Sequence, residues 1–154
     1  MRRFVAVVIL GILVLPGLAY ADTVSEVTQA IEDGFAYGRD NNRSEADEIA
    51  ADGSVEFWSS GGLLNRAAPG AEPQEWENFN LHAKHIEVIS LVEGEVALAT
   101  YYSEGSMQPK GYPSVPHYMT RVMEVYVKEG GKWKRRAAHW SAIDGGSGTS
   151  QSAE

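Results

Sequence analysis

The chain has no cysteine among its 154 residues. That excludes thiol catalysis, Cys-ligated zinc and disulfide support, so a full hydrophobic core must hold the fold. Basic residues are scarce as well: 13 Lys and Arg stand against 21 Asp and Glu, for a net charge of −8. An acidic domain is a poor match for nucleic acid or anionic lipid, and neither is expected as a partner. There is no Gly-rich phosphate loop, no dinucleotide fingerprint and no internal repeat, and no cofactor is expected. Ser141 follows no nucleophile-elbow pattern, which argues against a serine hydrolase.

Long apolar runs are also rare. The run Phe4 to Leu15 is short for a membrane span, which takes about 20 residues. Arg2 and Arg3 precede it, Pro16-Gly17 breaks it, and Ala19-Tyr20-Ala21 has the small-x-small pattern of a signal-peptidase site. Residues 1–21 are therefore read as a signal peptide, cleaved near Ala21/Asp22, with a periplasmic or secreted product and no stable membrane anchor. No cysteine follows for lipid attachment. Loss of Arg2 and Arg3 takes the net charge from −8 to −10. One domain is expected over 22–143, followed by a Gly/Ser-rich disordered tail over 144–154.

Within that domain, Val24, Val27, Ile31 and Phe35 keep helical spacing behind a capping box of Thr23 and Glu26. This predicts a helix over about 24–40, ended by Asp40-Asn41-Asn42. Short helices are expected over 44–51 and 75–81, and strands over 54–59, 84–91 and 96–103. The segment 105–116 carries Pro109, Gly111, Pro113 and Pro116 and is read as a loop, a rim or lid beside the last strands. Residues 118–142 form the most informative stretch, a hairpin turning at Gly130-Gly131. Unbroken pairing from that turn sets Val122 opposite His139 and Arg121 opposite Trp140, so His139 and Arg121 fall on opposite faces unless a bulge shifts the register.

The hairpin's Gly131-Lys132-Trp133-Lys134 and Ala138-His139-Trp140-Ser141 resemble the closing strand of SnoaL-like and DUF4440-like proteins of the NTF2-like superfamily. Phe57-Trp58-Ser59-Ser60-Gly61-Gly62 resembles the first strand and turn of the same group. The resemblance implies an α+β NTF2-like cone: a curved, mostly antiparallel sheet packed on N-terminal helices. It also implies a pocket between sheet and helices for a small, partly apolar molecule, and a homodimer through the convex sheet face.

Within that frame, His139 is the candidate acid or base, or else a hydrogen-bonded sheet histidine. Arg121 is a candidate carboxylate or oxyanion ligand, or else a surface residue lying against Trp140. Trp58, Tyr101, Tyr118 and Trp140 are candidate pocket walls as well as candidate core. Ketosteroid isomerase, of the same superfamily, uses an Asp base with a Tyr and a protonated Asp as oxyanion donors. Here Tyr37 offers a helical tyrosine and, with Glu129 assigned to the turn, Glu124 is the only acid in the last strands, so the trio is incomplete. His82 and His85 are three apart at an expected helix–strand junction without a third ligand, and no metal site is expected. Two functions follow: a cofactor-independent isomerase, cyclase or lyase, or a non-catalytic binding or assembly module.

Overall fold

A computed structural model describes residues 22–143; the signal-peptide and tail readings lie outside the described residues. One helix, α1 (Thr23–Asn41), precedes six strands: β1 (Ser54–Phe57), β2 (Asn65–Ala67), β3 (Trp76–Val92), β4 (Val96–Pro109), β5 (Val115–Glu129) and β6 (Lys132–Ala142). They form one sheet in the order β2-β1-β6-β5-β4-β3. Only the β1–β6 contact is parallel. This is the expected α+β layout, a curved, mixed sheet packed on one helix where N-terminal helices are expected.

The i, i+4 stripe of α1 makes it a sheet-packing helix. Val27, Ile31 and Phe35 are buried against Leu81, Ala97, Ala99, Tyr101 and Val122. Small residues at 97 and 99 let the helix approach β4. Polar bonds hold both helix ends. Asp22 caps the first turn by accepting from the Ser25 amide at 2.7 Å. Thr23, the cap expected from sequence, is pulled instead to the β3–β4 turn, where it donates to Glu93 and accepts from the Gly94 amide. Asn42 ends the helix in the left-handed region (φ 52°), and Arg39 donates to the Leu81 carbonyl at 2.8 Å.

Three expectations fail. The helix predicted over 44–51 is an extended strap bridging Arg43 to Glu75 and Ile49 to Arg135, with Asp47 at φ 67° interrupting any helical path. The helix predicted over 75–81 is the start of β3, which pairs with β4 from Trp76 onward and buries Leu81 beneath α1. Backbone pairing along a long partner strand outweighed weak local helical preference. The loop predicted over 105–116 shrinks to 110–114, because β4 runs to Pro109 and β5 begins at Val115. Gly111 and Pro113 stay in that turn, Pro109 ends β4, and Gly105 and Pro116 flank the β4–β5 irregularity, where they interrupt no interior pairing.

The hairpin turn forms as expected, with Gly130 and Gly131 both at positive φ and Glu129 paired with Lys132. Its register does not persist. Tyr126 pairs with Arg135, yet Val125 pairs with Ala137, so Arg136 is an extra residue in β6. Beyond this bulge Met123 faces His139 and Arg121 faces Ser141. The one-residue slip turns Trp140 toward the helix side and His139 to the outer side, the reverse of an unbroken hairpin.

Gly105 tests the β3–β4 packing. It sits at φ 142°, and a Cβ there would lie 2.1 Å from the Asn80 carbonyl oxygen. Gly105→Ala is expected to lower stability by about 3 kcal/mol, combining backbone strain with displacement of β3. Gly130→Ala meets open space and should lose only about 1 kcal/mol. Urea unfolding of the two variants measures the difference; equal losses would mean that β3 yields freely at Asn80.

Candidate functional site

Between α1 and the sheet lies a cavity of about 880 Å³. Its volume suits a drug-sized molecule. Helix α1 contributes Ile31, Gly34, Phe35 and Gly38; the strands contribute Phe79, Leu81, Tyr101, Met107, Tyr118 and Tyr126. All four tryptophans of the chain, Trp58, Trp76, Trp133 and Trp140, line it. The two glycines act differently: Gly34 leaves room and Gly38 admits a neighbouring ring. No atom lies within 4 Å of a Cβ built on Gly34, and the Phe79 ring occupies the place where a Gly38 side chain would stand.

The aromatic wall is continuous. Trp58 stacks on Trp140 with centroids 6.3 Å apart, and Trp140 meets Tyr101 edge-on at 6.3 Å. Tyr101 meets Phe35 at 5.8 Å, Phe35 meets Phe79 at 6.1 Å, and Phe79 meets Trp76 at 4.6 Å. The Tyr118 hydroxyl shares a 2.8 Å hydrogen bond with Ser59. Trp58, Tyr101, Tyr118 and Trp140 thus all stand on the cavity.

At its buried end is a charged cluster centred on the bulge. Arg135 donates from Nε to Glu56 Oε1 at 2.8 Å and from Nη2 to Glu48 Oε1 at 3.0 Å. Its Nη1 lies 3.8 Å from Glu124 Oε1. Glu56 and Glu124 are each 1 % exposed. Tyr101 and Tyr126 both donate to Glu124 Oε2, at 2.8 and 2.5 Å, while Glu124 Oε1 accepts no hydrogen bond. Burial pushes the Glu124 carboxyl above the usual range, opposed by Arg135 and the two phenols. Burial and then the Glu124 charge drive both phenols well upward. Burial weakens the Arg135 charge, but Glu48, Glu124 and Glu56 outweigh that and raise its pKa.

Both phenols direct their protons at Glu124, so neither is presented to a substrate oxyanion. Of the incomplete isomerase trio, Glu124 occupies the cavity, whereas the Tyr37 hydroxyl is off its lining and accepts from Arg43. His139 is exposed on the outer face of the sheet beside Phe57, 5.8 Å between ring centroids. Arg121 is exposed on that same face and donates weakly to the Ala142 carbonyl. The bulge brings the two to one face, but it is not the face that lines the cavity. His82 and His85 both lie on β3, and no metal-binding group of three ligands occurs among the described residues.

Sequence reasoning missed Arg135, Tyr126 and the acids from two distant segments. One signal was present: Glu124 alternates with apolar neighbours in an otherwise core-facing strand, where a buried carboxylate requires partners.

No family model matches the chain, and no curated protein matches it. Solved structures share its fold. An uncharacterized protein with a cystatin-like fold from Caulobacter vibrioides aligns with a TM-score of 0.54 at 14 % identity, over 79 % of this chain and 89 % of that one. A candidate calcium/calmodulin-dependent kinase II association domain from Exiguobacterium sibiricum aligns at 0.56 and 15 %, covering 79 % and 94 %. A similarly described domain from Xanthomonas campestris aligns at 0.53 and 17 %, covering 79 % and 86 %.

The charged cluster makes a stability prediction. Arg135→Met strands two fully buried carboxylates and is expected to lower stability at neutral pH by about 3–5 kcal/mol. Folding of the variant must then take up protons, so its deficit should shrink as pH falls through the carboxylate range. Denaturant unfolding between pH 4 and 8 checks this; a deficit independent of pH would mean that Arg135 acts by packing alone. In the wild type, the raised Glu124 pKa has the same sign. Its contribution is fully present below the unfolded-state value and is lost as pH rises through the folded-state one.

Proposed function

We propose that this chain is an exported NTF2-like domain that binds a small, partly apolar ring molecule in the cavity between α1 and the sheet. One observation carries the reading: all four tryptophans converge on one cavity of about 880 Å³. A chain using its aromatics only for packing would fill that volume, whereas here Gly34 holds it open. Binding is favoured over isomerase, cyclase or lyase chemistry, since Glu124 holds both phenols and no histidine lines the space. Export rests on the basic, apolar and small-x-small pattern of residues 1–21.

A second reading concerns assembly and has its own observation. Strand register places Phe57, Ile89, Tyr102, Met119 and Met123 together on the outer face, and all are exposed. An apolar sheet face of this kind suits a second copy of the chain, and two structures of the same fold are described as association domains. Light scattering should find a dimer at micromolar concentration, converted to monomer by Met119→Lys with Met123→Lys. A monomeric wild type would remove this reading and leave the cavity reading untouched.

Gly34→Leu tests the cavity. The new side chain enters open space, and loss of a helical glycine gains up to about 1 kcal/mol. The variant should therefore melt at or above the wild-type temperature while losing tenfold or more in affinity for any ring compound that quenches wild-type tryptophan fluorescence. Undiminished binding in a well-folded Gly34→Leu would show that the ligand sits elsewhere.

A further inference from the structure

The cavity's charge is one-sided, and one buried carboxylate oxygen beside it accepts no hydrogen bond. Its lining holds Glu26, Asp33, Glu45, Asp47, Glu48 and Glu124 against Lys132 and Arg135. Glu26 and Asp47 are matched by Lys128 and Lys134. The buried end is not matched: one guanidinium faces Glu48, Glu56 and Glu124, leaving a formal charge of −2 when all three acids are ionised. Two of these carboxylates are 1 % exposed, where water cannot offset the excess. Arg135 gives Nε and Nη2 to the other two acids and stays 3.8 Å from Glu124. Tyr101 and Tyr126 both serve Oε2, so Oε1 remains a fully buried acceptor without a hydrogen bond at the cavity wall. Tyr101, Tyr126, Trp133 and Trp140 share that lining, and aromatic rings attract organic cations across their faces.

From this geometry, and resting on the binding reading above, we infer that the cavity takes an organic cation: a ring-bearing amine whose ammonium N–H donates to Glu124 Oε1 while its ring lies against the tryptophans. The ligand supplies the positive charge that the three-carboxylate cluster lacks. An anion would have to approach Arg135 past that cluster, and a neutral molecule of the same shape would leave the excess charge uncompensated. The specificity-determining group is thus Glu124, and the aromatic wall sets the size of the ring.

The test uses three probes of matched shape on the purified protein at pH 7: 2-phenylethylammonium, 2-phenylethanol and 3-phenylpropionate. Tryptophan fluorescence and thermal shift report occupancy. The ammonium is expected to bind at least tenfold tighter than either of the others. Glu124→Gln should bring ammonium and alcohol to near parity. Tyr126→Phe, which frees part of Oε2, should tighten the ammonium several-fold and serves as the test if Glu124→Gln does not fold. Equal binding of the alcohol, or tighter binding of the propionate, overturns the cation inference and leaves the small-molecule reading standing. Selectivity unchanged in both variants overturns Glu124 as the acceptor. Failure of all three probes, in a protein whose Gly34→Leu variant is equally inert, overturns the binding reading and the cation inference together.

Discussion

One guanidinium in a low-dielectric interior constrains much of this structure. Arg135 is held by acids from three separate parts of the chain: Glu48 in the strap, Glu56 in β1 and Glu124 in β5. Glu56 and Glu124 are costly to bury alone, and they become tolerable only when their segments are delivered to the same guanidinium. The cation therefore accounts for features that otherwise look unrelated. The strap abandons helical geometry and pairs in parallel with β6, where the Arg135 amide donates to the Glu48 carbonyl and its carbonyl accepts from the Ala50 amide. Strand β1 runs parallel to β6, placing Glu56 within 2.8 Å of the guanidinium. The bulge at Arg136 lets Arg135 and Trp140 share the helix-facing side despite odd spacing.

The cavity arises from the same device. Beyond the bulge, Trp140 turns inward to stack on Trp58, and the outer face receives His139 instead. On the helix, Gly34 leaves open space where a packed core would place a side chain, while Gly38 admits the Phe79 ring. The domain thus keeps an aromatic-walled space with a hydrogen-bonded acid at its buried end. The Glu124 carboxyl is deprived of water, and the phenols that steady it are fully engaged by it. Both phenols are spent on Glu124, so neither is left over to polarise a substrate.

Much of the fold was legible because it rests on local periodicity. Val27, Ile31 and Phe35 announce the sheet-packing helix, and Gly130-Gly131 announces the hairpin. The cavity aromatics Trp58, Tyr101, Tyr118 and Trp140 were likewise visible as large apolar rings in alternating strands. His139 and Arg121 drew attention for their chemistry, but chemistry without register does not say which way a side chain points. A single inserted residue inverts every side chain beyond it, and nothing in Lys134-Arg135-Arg136-Ala137 marks which residue is extra.

The sequence by itself determined the absence of thiol chemistry, the acidic balance, the helix stripe, the strand-rich α+β layout and the closing turn. These depend on composition and on neighbours within a few residues. Only the tertiary structure decided that 44–51 is a strap, that 75–81 joins a 17-residue strand, and that Arg135 rather than His139 stands at the cavity. Each of those outcomes turns on pairing between segments far apart in the chain. Their energy comes from backbone ladders and a buried charge, neither of which exists until the segments have met.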